Sequence, residues 1–288
     1  MHWDTVINLL VSAGLEISVL VIVSIGLAVI FGMMGIINLA HGEFLMLGAY
    51  VTLSATRAGL NLWLAMLFAA LVVGLFGVVI ERLLIHRLYG RLADSMLATW
   101  GLSLILAQGV SYVFGPSTQG IATPLGNVRI GAYSISAYSF VLIGAAILML
   151  LLVLWVFKRT RYGTMARAAT QLPAMATAVG VNTKRINMWT FGLGAGLAGL
   201  GGALLAPLAG VTPSMGQAYI ARAFMTVIVG GTGVLTGTSA ASGLLGGIQY
   251  LVSYLSNPFL GQGALLILAI VILRLMPTGL SGYWGRRL

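Results

Sequence analysis

The chain contains no cysteine and only five acidic residues, Asp4, Glu16, Glu43, Glu81 and Asp94, in a length of 288. Without a thiol there is no disulfide framework, no thiolate metal site and no sulfur nucleophile. Charged residues of both signs amount to 7%, against roughly a quarter in a soluble domain, and water does not solvate a folded surface so poor in charge. No glycine-rich loop ending in Lys and Ser or Thr is present to cradle a nucleotide phosphate. Nor does a His-Glu-x-x-His pair or a Gly-x-Ser-x-Gly elbow mark a hydrolase. The sequence therefore predicts no catalytic residue, no metal ligand and no cofactor bound by this chain.

What is present is apolar: 59% of the residues are hydrophobic and the mean hydropathy is +1.04. A membrane-crossing helix takes about 20 mostly apolar residues. Nine apolar runs are candidates, at 6–31, 36–56, 62–80, 96–114, 136–157, 188–208, 219–234, 239–255 and 264–275, the last three shorter than that length. Gly115-Pro116, Thr123-Pro124, Thr212-Pro213, Asn257-Pro258 and Pro277-Thr278-Gly279 separate several of them with helix-breaking geometry. No long linker divides the chain. The expectation is an all-α integral membrane protein, a polytopic helical bundle of eight or nine transmembrane segments forming one domain over residues 1–288. The opening MHWDTVINLL has no Lys or Arg before its apolar run and no small-residue cleavage site, so it reads as a retained first helix.

The 39 glycines suit a bilayer, where small residues let helix backbones approach closely. Two groups also read as breaks: Gly32, Gly35, Gly42 and Gly48 near one end, and Gly230, Gly231, Gly233 and Gly237 near the other. Transporters commonly build substrate sites from such paired interrupted helices; ordinary glycine packing is the other reading.

A net charge of +10 would suit nucleic acid, but the basic residues sit between the apolar runs, which is the pattern of membrane topology. Three clusters stand out: Arg82, Arg87 and Arg91; Lys158, Arg159, Arg161, Arg167, Lys184 and Arg185; and Arg274, Arg286 and Arg287. Lys and Arg are retained on the cytoplasmic side. Nine crossings place the N-terminus outside and the C-terminus inside, whereas eight crossings with one re-entrant segment place both inside.

Glu16 and Glu43 alone among the acids lie within apolar runs. A charge at mid-bilayer costs about 2.5–3.5 kcal/mol on insertion scales, so each must face a bundle interior, a cavity or a partner. Glu43 belongs to a polar interruption with Asn38 and His41. These three side chains either meet a small polar solute or brace the broken helix, with Asn38 as a cap and Glu43 in the first turns. Glu16, with Ser12 on its helix face, reads as a neutral or hydrogen-bonded acid packed between helices. Asp94 after Arg91, and Glu81 before Arg82, read as interfacial ion pairs.

Residues 158–187 are too polar to cross. Thr164 to Gln171 predicts one short helix; Pro173 suits the first turn of a second and Gly180 its stop. The product is a small helical knob facing the cytosol, which either lies on anionic headgroups or docks a partner. A transporter driven by an ion gradient needs buried ionisable relays, and one driven by an external ATPase needs a docking element. This chain is poor in the former and supplied with the latter.

Gly26-Leu27, then Phe31 through Glu43 (FGMMGIINLAHGE), then Gly48-Ala49-Tyr50, resemble the signature of branched-chain amino acid ABC permeases. Thr160-Arg161-Tyr162-Gly163, Arg167-Ala168, Ala174, Ala178 through Val181, Phe191 through Gly202, and Gly230-Gly231-Thr232-Gly233 with Gly237 are similar to later blocks of that family, in collinear order over nearly the whole chain. The resemblance implies a permease subunit of the bacterial inner (plasma) membrane. Its implied partners are a second permease, by family precedent a paralogue, two ATPase subunits that carry ATP and Mg, and a periplasmic substrate-binding protein. The family also includes importers of urea and short amides, and Thr212 through Ile220 looks closer to that branch. By resemblance, Ala174 through Gly180, with Ala178 inside it, is the coupling helix, and Arg167 helps transmit force. Pro173 and the absence of any acid around Gln171 to Ala174 depart from the family pattern. The implied mechanism is alternating access driven by ATP, with Asn38, His41, Glu43 and Glu16 as candidates to line the path. A channel or proton-coupled carrier using Glu16, His41 and Glu43 is the rival expectation.

Overall fold

The computed structural model describes residues 3–130, 133–231, 233 and 236–284; Thr232, Val234, Arg286 and Arg287 lie outside them. Twelve α-helices and one hairpin follow in chain order among those residues: α1 (Trp3–Met34), α2 (His41–Arg57), α3 (Leu62–Leu83), α4 (Leu92–Phe114), β1 (Asn127–Ile130), β2 (Tyr133–Ser136), α5 (Ala137–Arg159), α6 (Arg161–Gln171), α7 (Pro173–Ala178), α8 (Thr183–Ala209), α9 (Met215–Gly230), α10 (Thr236–Leu255), α11 (Pro258–Leu275) and α12 (Gly279–Trp284). A short 3-10 turn, Ile85–Leu88, lies between α3 and α4.

Six helices, α1, α3, α4, α5, α8 and α11, are long and apolar enough to cross a membrane. The other three expected spans fall short on their own. α2 has 17 residues and α9 has 16, while α10 carries Thr, Ser and Gln along its length. Two glycines account for the first two. Gly35 at φ 64° and Gly231 at φ 78° occupy the left-handed region, which a side chain disfavours; after Gly35 the chain is non-helical and α2 starts only at His41, and α9 stops at Gly230. Of the other glycines expected to break these segments, Gly32, Gly42, Gly48 and Gly237 lie inside helices. The structure also adds what periodicity did not offer, the antiparallel β1–β2 ribbon with Val128 opposite Ile135.

Several boundaries follow local chemistry. Asn61, Asn182 and Asn257 cap α3, α8 and α11 by accepting backbone N–H bonds from Trp63, Arg185 and Leu260, satisfying donors that the first helical turn leaves free. Pro258 occupies the first turn of α11, so this helix starts at 258 rather than 264. In the same way α4 starts at Leu92 rather than Met96, with Asp94 in its first turn.

The chain divides into two compact units. One comprises Ile25–Ile121 with Leu151–Ala221, the other Met1–Ser24, Ala122–Leu150 and Arg222–Leu288. In the first, α2 and α3 pack on α8. The most apolar part of α8 is 72% buried against 28% for α3, so α8 is its central helix. The approach is nearly backbone to backbone: a Cβ at Gly48 would overlap the Gly199 carbonyl, and one at Gly202 the Leu45 carbonyl. Phe44 wedges between Phe76 and Phe191, edge to face at 6.2 and 6.0 Å. In the second unit, α10 packs on α11 around Leu20, Val229, Ala241, Leu245, Leu265 and Ala269. Ser281 of α12 donates to the Gly230 carbonyl and accepts from the Gly233 N–H, both at 2.7 Å, pinning the second break.

Candidate functional site

In the first unit, the chain between Gly35 and Ala40 is non-helical, and its backbone groups need partners there. Thr99 of α4 provides one, accepting from the Leu39 N–H at 3.1 Å while donating to the Ser95 carbonyl at 2.7 Å. Asn38 supplies another, its Oδ1 accepting from the Ala40 N–H at 3.1 Å. Asn38 is thus turned toward the break, and its Nδ2 has no hydrogen-bond partner.

Glu43 lies in the first turn of α2, where the helix dipole favours an anion. Its Oε1 accepts from Ser103 Oγ at 2.6 Å. Its Oε2 is buried without a hydrogen-bond partner, against Gly216 of α9, where a Cβ would collide with it. His41 is also buried, its ring against Gly26 of α1. Asn38, His41 and Glu43 are at most 1% exposed. Asn38 and Glu43 thus join Thr99, Ser103 and Gly216 in a buried polar seam along the break and the first turn of α2, whereas His41, two residues before Glu43 on α2, turns to α1 instead. Sequence reading missed Thr99 and Ser103, whose spacing of four within α4 was the available signal.

Glu16 belongs to the other unit. It accepts from Gln249 of α10 and pairs with Arg222 of α9 at 3.6 Å, so its partners are a cation and an amide rather than Ser12. Glu81 also departs from expectation. It is buried and accepts from the Tyr89 hydroxyl rather than pairing with Arg82. Burial first, and then the Glu81 carboxylate, push the Tyr89 phenol above its ordinary range. Asp94 pairs with Arg91 at 3.7 Å on the surface, as expected.

The polar stretch 158–187 folds as two short helices. Thr160 caps α6, accepting from the Gly163 N–H at 3.2 Å, so α6 begins at Arg161 rather than Thr164. Pro173 opens α7, and Gly180 with φ 89° follows its end. Arg167 donates to the Phe157 carbonyl near the end of α5, a cation at a helix C-terminus. Tyr162 is hydrogen-bonded to Thr190 of α8 at 2.7 Å, and burial pushes its phenol up to about 12. Thr170 donates to the Ala166 carbonyl at 2.9 Å and to the Met33 carbonyl, in the last turn of α1, at 2.7 Å. Pro173, Ala174, Ala178 and Gly180 are exposed, and so are Leu172, Met175 and Val179, the last two 64% and 78%.

Among the described residues no group of acids and histidines is placed to hold a metal ion. Residues 9–275 match the family model described as branched-chain amino acid transport system / permease component. The high-affinity branched-chain amino acid transport system permease protein LivH of Salmonella typhimurium is 30% identical over 281 residues, 91% of this chain and 90% of that one. BraD of Pseudomonas aeruginosa, a permease protein of the same description, is 29% identical over 91% of each chain. The probable LivH of Methanocaldococcus jannaschii is 26% identical over 94% of this chain and 91% of its own. No solved structure matches. With its apolar spans and its match over nearly the whole length, the chain belongs to the permease family of the branched-chain amino acid transport systems, multi-pass proteins of the inner membrane.

Proposed function

We propose that this chain is one permease of an ATP-driven importer of branched-chain amino acids, working by alternating access with a second permease, two ATPase subunits carrying ATP and Mg, and a periplasmic binding protein. The whole chain acts as one permease domain, with α2, α9 and α10 completing eight or nine segments around the two breaks. Relatives named for branched-chain amino acid transport support the substrate class.

The carrying observation is the hydrogen bond from Thr170 to the Met33 carbonyl, 2.7 Å. It ties the cytosolic knob to the last turn of α1, two residues before the break at Gly35. Leu172, Met175 and Val179 stand at i, i+3 and i+7, the spacing of one helical face, and give the knob an exposed apolar face for an ATPase groove. Ala174, Ala178 and Gly180 keep its bulk small. A push on α7 passes through α6, held by Arg167 and Tyr162, to the end of α1. Asn38 within the break, and His41 and Glu43 just past it, brace the path beside it. Glu16, tied to Arg222 and Gln249, braces the other unit. Because Tyr162 stays protonated well above neutral pH, the anchor of the knob does not titrate in the working range.

Replacing Thr170 by Val tests the linkage in the reconstituted complex. The expected result is retained assembly and basal ATPase activity, with stimulation by leucine-loaded binding protein reduced severalfold. Unchanged stimulation would remove Thr170 from the transmission route.

A further inference from the structure

On the first unit, α3 and α8 run antiparallel, with Gly77 near Gly192 and Val73 near Gly199. At the end where α3 finishes and α8 begins, a cleft of about 390 Å³ is lined by Glu81, Arg82, His86, Lys184, Arg185 and Met188. Its single carboxylate is buried and accepts from Tyr89, which leaves Arg82, Lys184 and Arg185 as the exposed charges at a cleft whose wall is otherwise mostly apolar. An apolar groove of about 380 Å³ lies along the same two helices, with Leu71 and Val78 from α3 and Trp189, Leu193 and Leu200 from α8 in its wall. Val78 precedes Glu81 by less than one turn of α3, and Trp189 directly follows Met188, so the groove begins where the cleft ends. From Trp189 to Leu200 the helical rise is about 16 Å, close to the depth of one leaflet of a hydrocarbon core about 30 Å thick. Trp189 is half exposed at the junction, the level at which indoles gather in bilayers.

We propose that this face binds one anionic phospholipid of the cytoplasmic leaflet, with its phosphate among Arg82, Lys184 and Arg185 and one acyl chain along the groove. Basic pockets between helices on the cytoplasmic side suit anionic headgroups, and the uncharged groove wall suits a hydrocarbon chain. The site is separate from the polar seam at Glu43 and adjoins the base of the docking knob, since Lys184 and Arg185 end the polar stretch 158–187; its test does not require transport.

The test uses the full complex in proteoliposomes containing phosphatidylglycerol or phosphatidylcholine with brominated acyl chains, at equal mole fraction. Quenching by bromine is read from Trp189 as the difference between the natural protein and its Trp189→Phe variant. The expected result is stronger quenching of Trp189 by brominated phosphatidylglycerol. A cation beside an anionic headgroup strengthens binding roughly fivefold, so Lys184→Gln/Arg185→Gln should cut the preference by roughly 25-fold. Equal quenching by the two lipids overturns the proposal, as does a preference that survives the double substitution or a Trp189 that neither lipid reaches because another subunit covers it. Should the double variant fail to assemble, native mass spectrometry of the unsubstituted complex decides. Retention of phosphatidylglycerol over phosphatidylcholine supports the site, and retention of neither overturns it.

Discussion

Replacing Ser103 by Ala removes the one hydrogen bond that the Glu43 carboxylate makes among the described residues, the 2.6 Å contact to Oε1, while Oε2 has none there. A hydrogen bond to a charged group contributes about 1.5–3 kcal/mol, and a neutral one about 1 kcal/mol. Ser103→Ala should therefore destabilise by about 1.5–3 kcal/mol, a fall in melting midpoint of roughly 3–10 °C at a few degrees per kcal/mol. Glu43→Gln keeps the shape and the acceptor while relieving the cost of a charge in the bilayer, about 2.5–3.5 kcal/mol at mid-depth. It should leave stability unchanged or raised. In the Glu43→Gln background, Ser103→Ala should cost only about 1 kcal/mol, so a double-mutant cycle reports a coupling of about 0.5–2 kcal/mol. The assay is thermal unfolding in detergent or nanodiscs, with uptake measured in parallel. If Glu43 braces the path, uptake by Glu43→Gln stays within a fewfold of normal. A stable Glu43→Gln protein that transports nothing would refute the bracing role and place the charge in the path itself.

Other outcomes follow from the same geometry. Gly48→Val, whose side chain would meet the Gly199 carbonyl, should cost at least about 1–3 kcal/mol by overpacking and lower the yield of folded protein; Gly247→Ala, with nothing within 4 Å, serves as the neutral control in the same expression assay. Glu16→Ala removes the acceptor of Gln249 and the partner of Arg222, and should lower the melting midpoint in a part-exposed site by about 1–3 kcal/mol equivalent. Met175→Asp with Val179→Asp, both exposed, should leave the permease folded by thermal unfolding but abolish co-purification of the ATPase subunits.

The sequence carried the class of the molecule because hydropathy and turn chemistry are local. The breaks at Gly35 and Gly231, the Pro173 start and the Gly180 stop all depend on one residue's own dihedral preference and lie where the residues indicated, whereas Gly32, Gly42, Gly48 and Gly237, read with them as breaks, lie inside helices. The membrane segments were less legible where the chain is short or polar. α2 and α9 look like spans only when the residues of the adjoining breaks are counted with them. Partners of buried polar groups depend on register between distant helices, so Glu43 with Ser103, Glu16 with Arg222 and Gln249, and Thr170 with Met33 were not readable. Ser12 was the nearest hydroxyl to Glu16 in sequence, but a helix offers only its own face, whereas α9 and α10 bring a cation and an amide. Glu81 was expected at its neighbour Arg82, and it turned inward because Tyr89 supplies a donor after the chain reverses at 85–88.

The most direct measurement is uptake of labelled leucine into proteoliposomes holding this chain, its partner permease and the ATPase pair, with the binding protein added on the periplasmic side. The account predicts uptake that requires ATP hydrolysis and stops when Met175 and Val179 are both replaced by Asp. Uptake that continues without any ATPase subunit and follows a proton gradient would contradict it, making the chain a channel or proton-coupled carrier; ATP-driven uptake of urea or a short amide in place of leucine would contradict the proposed substrate.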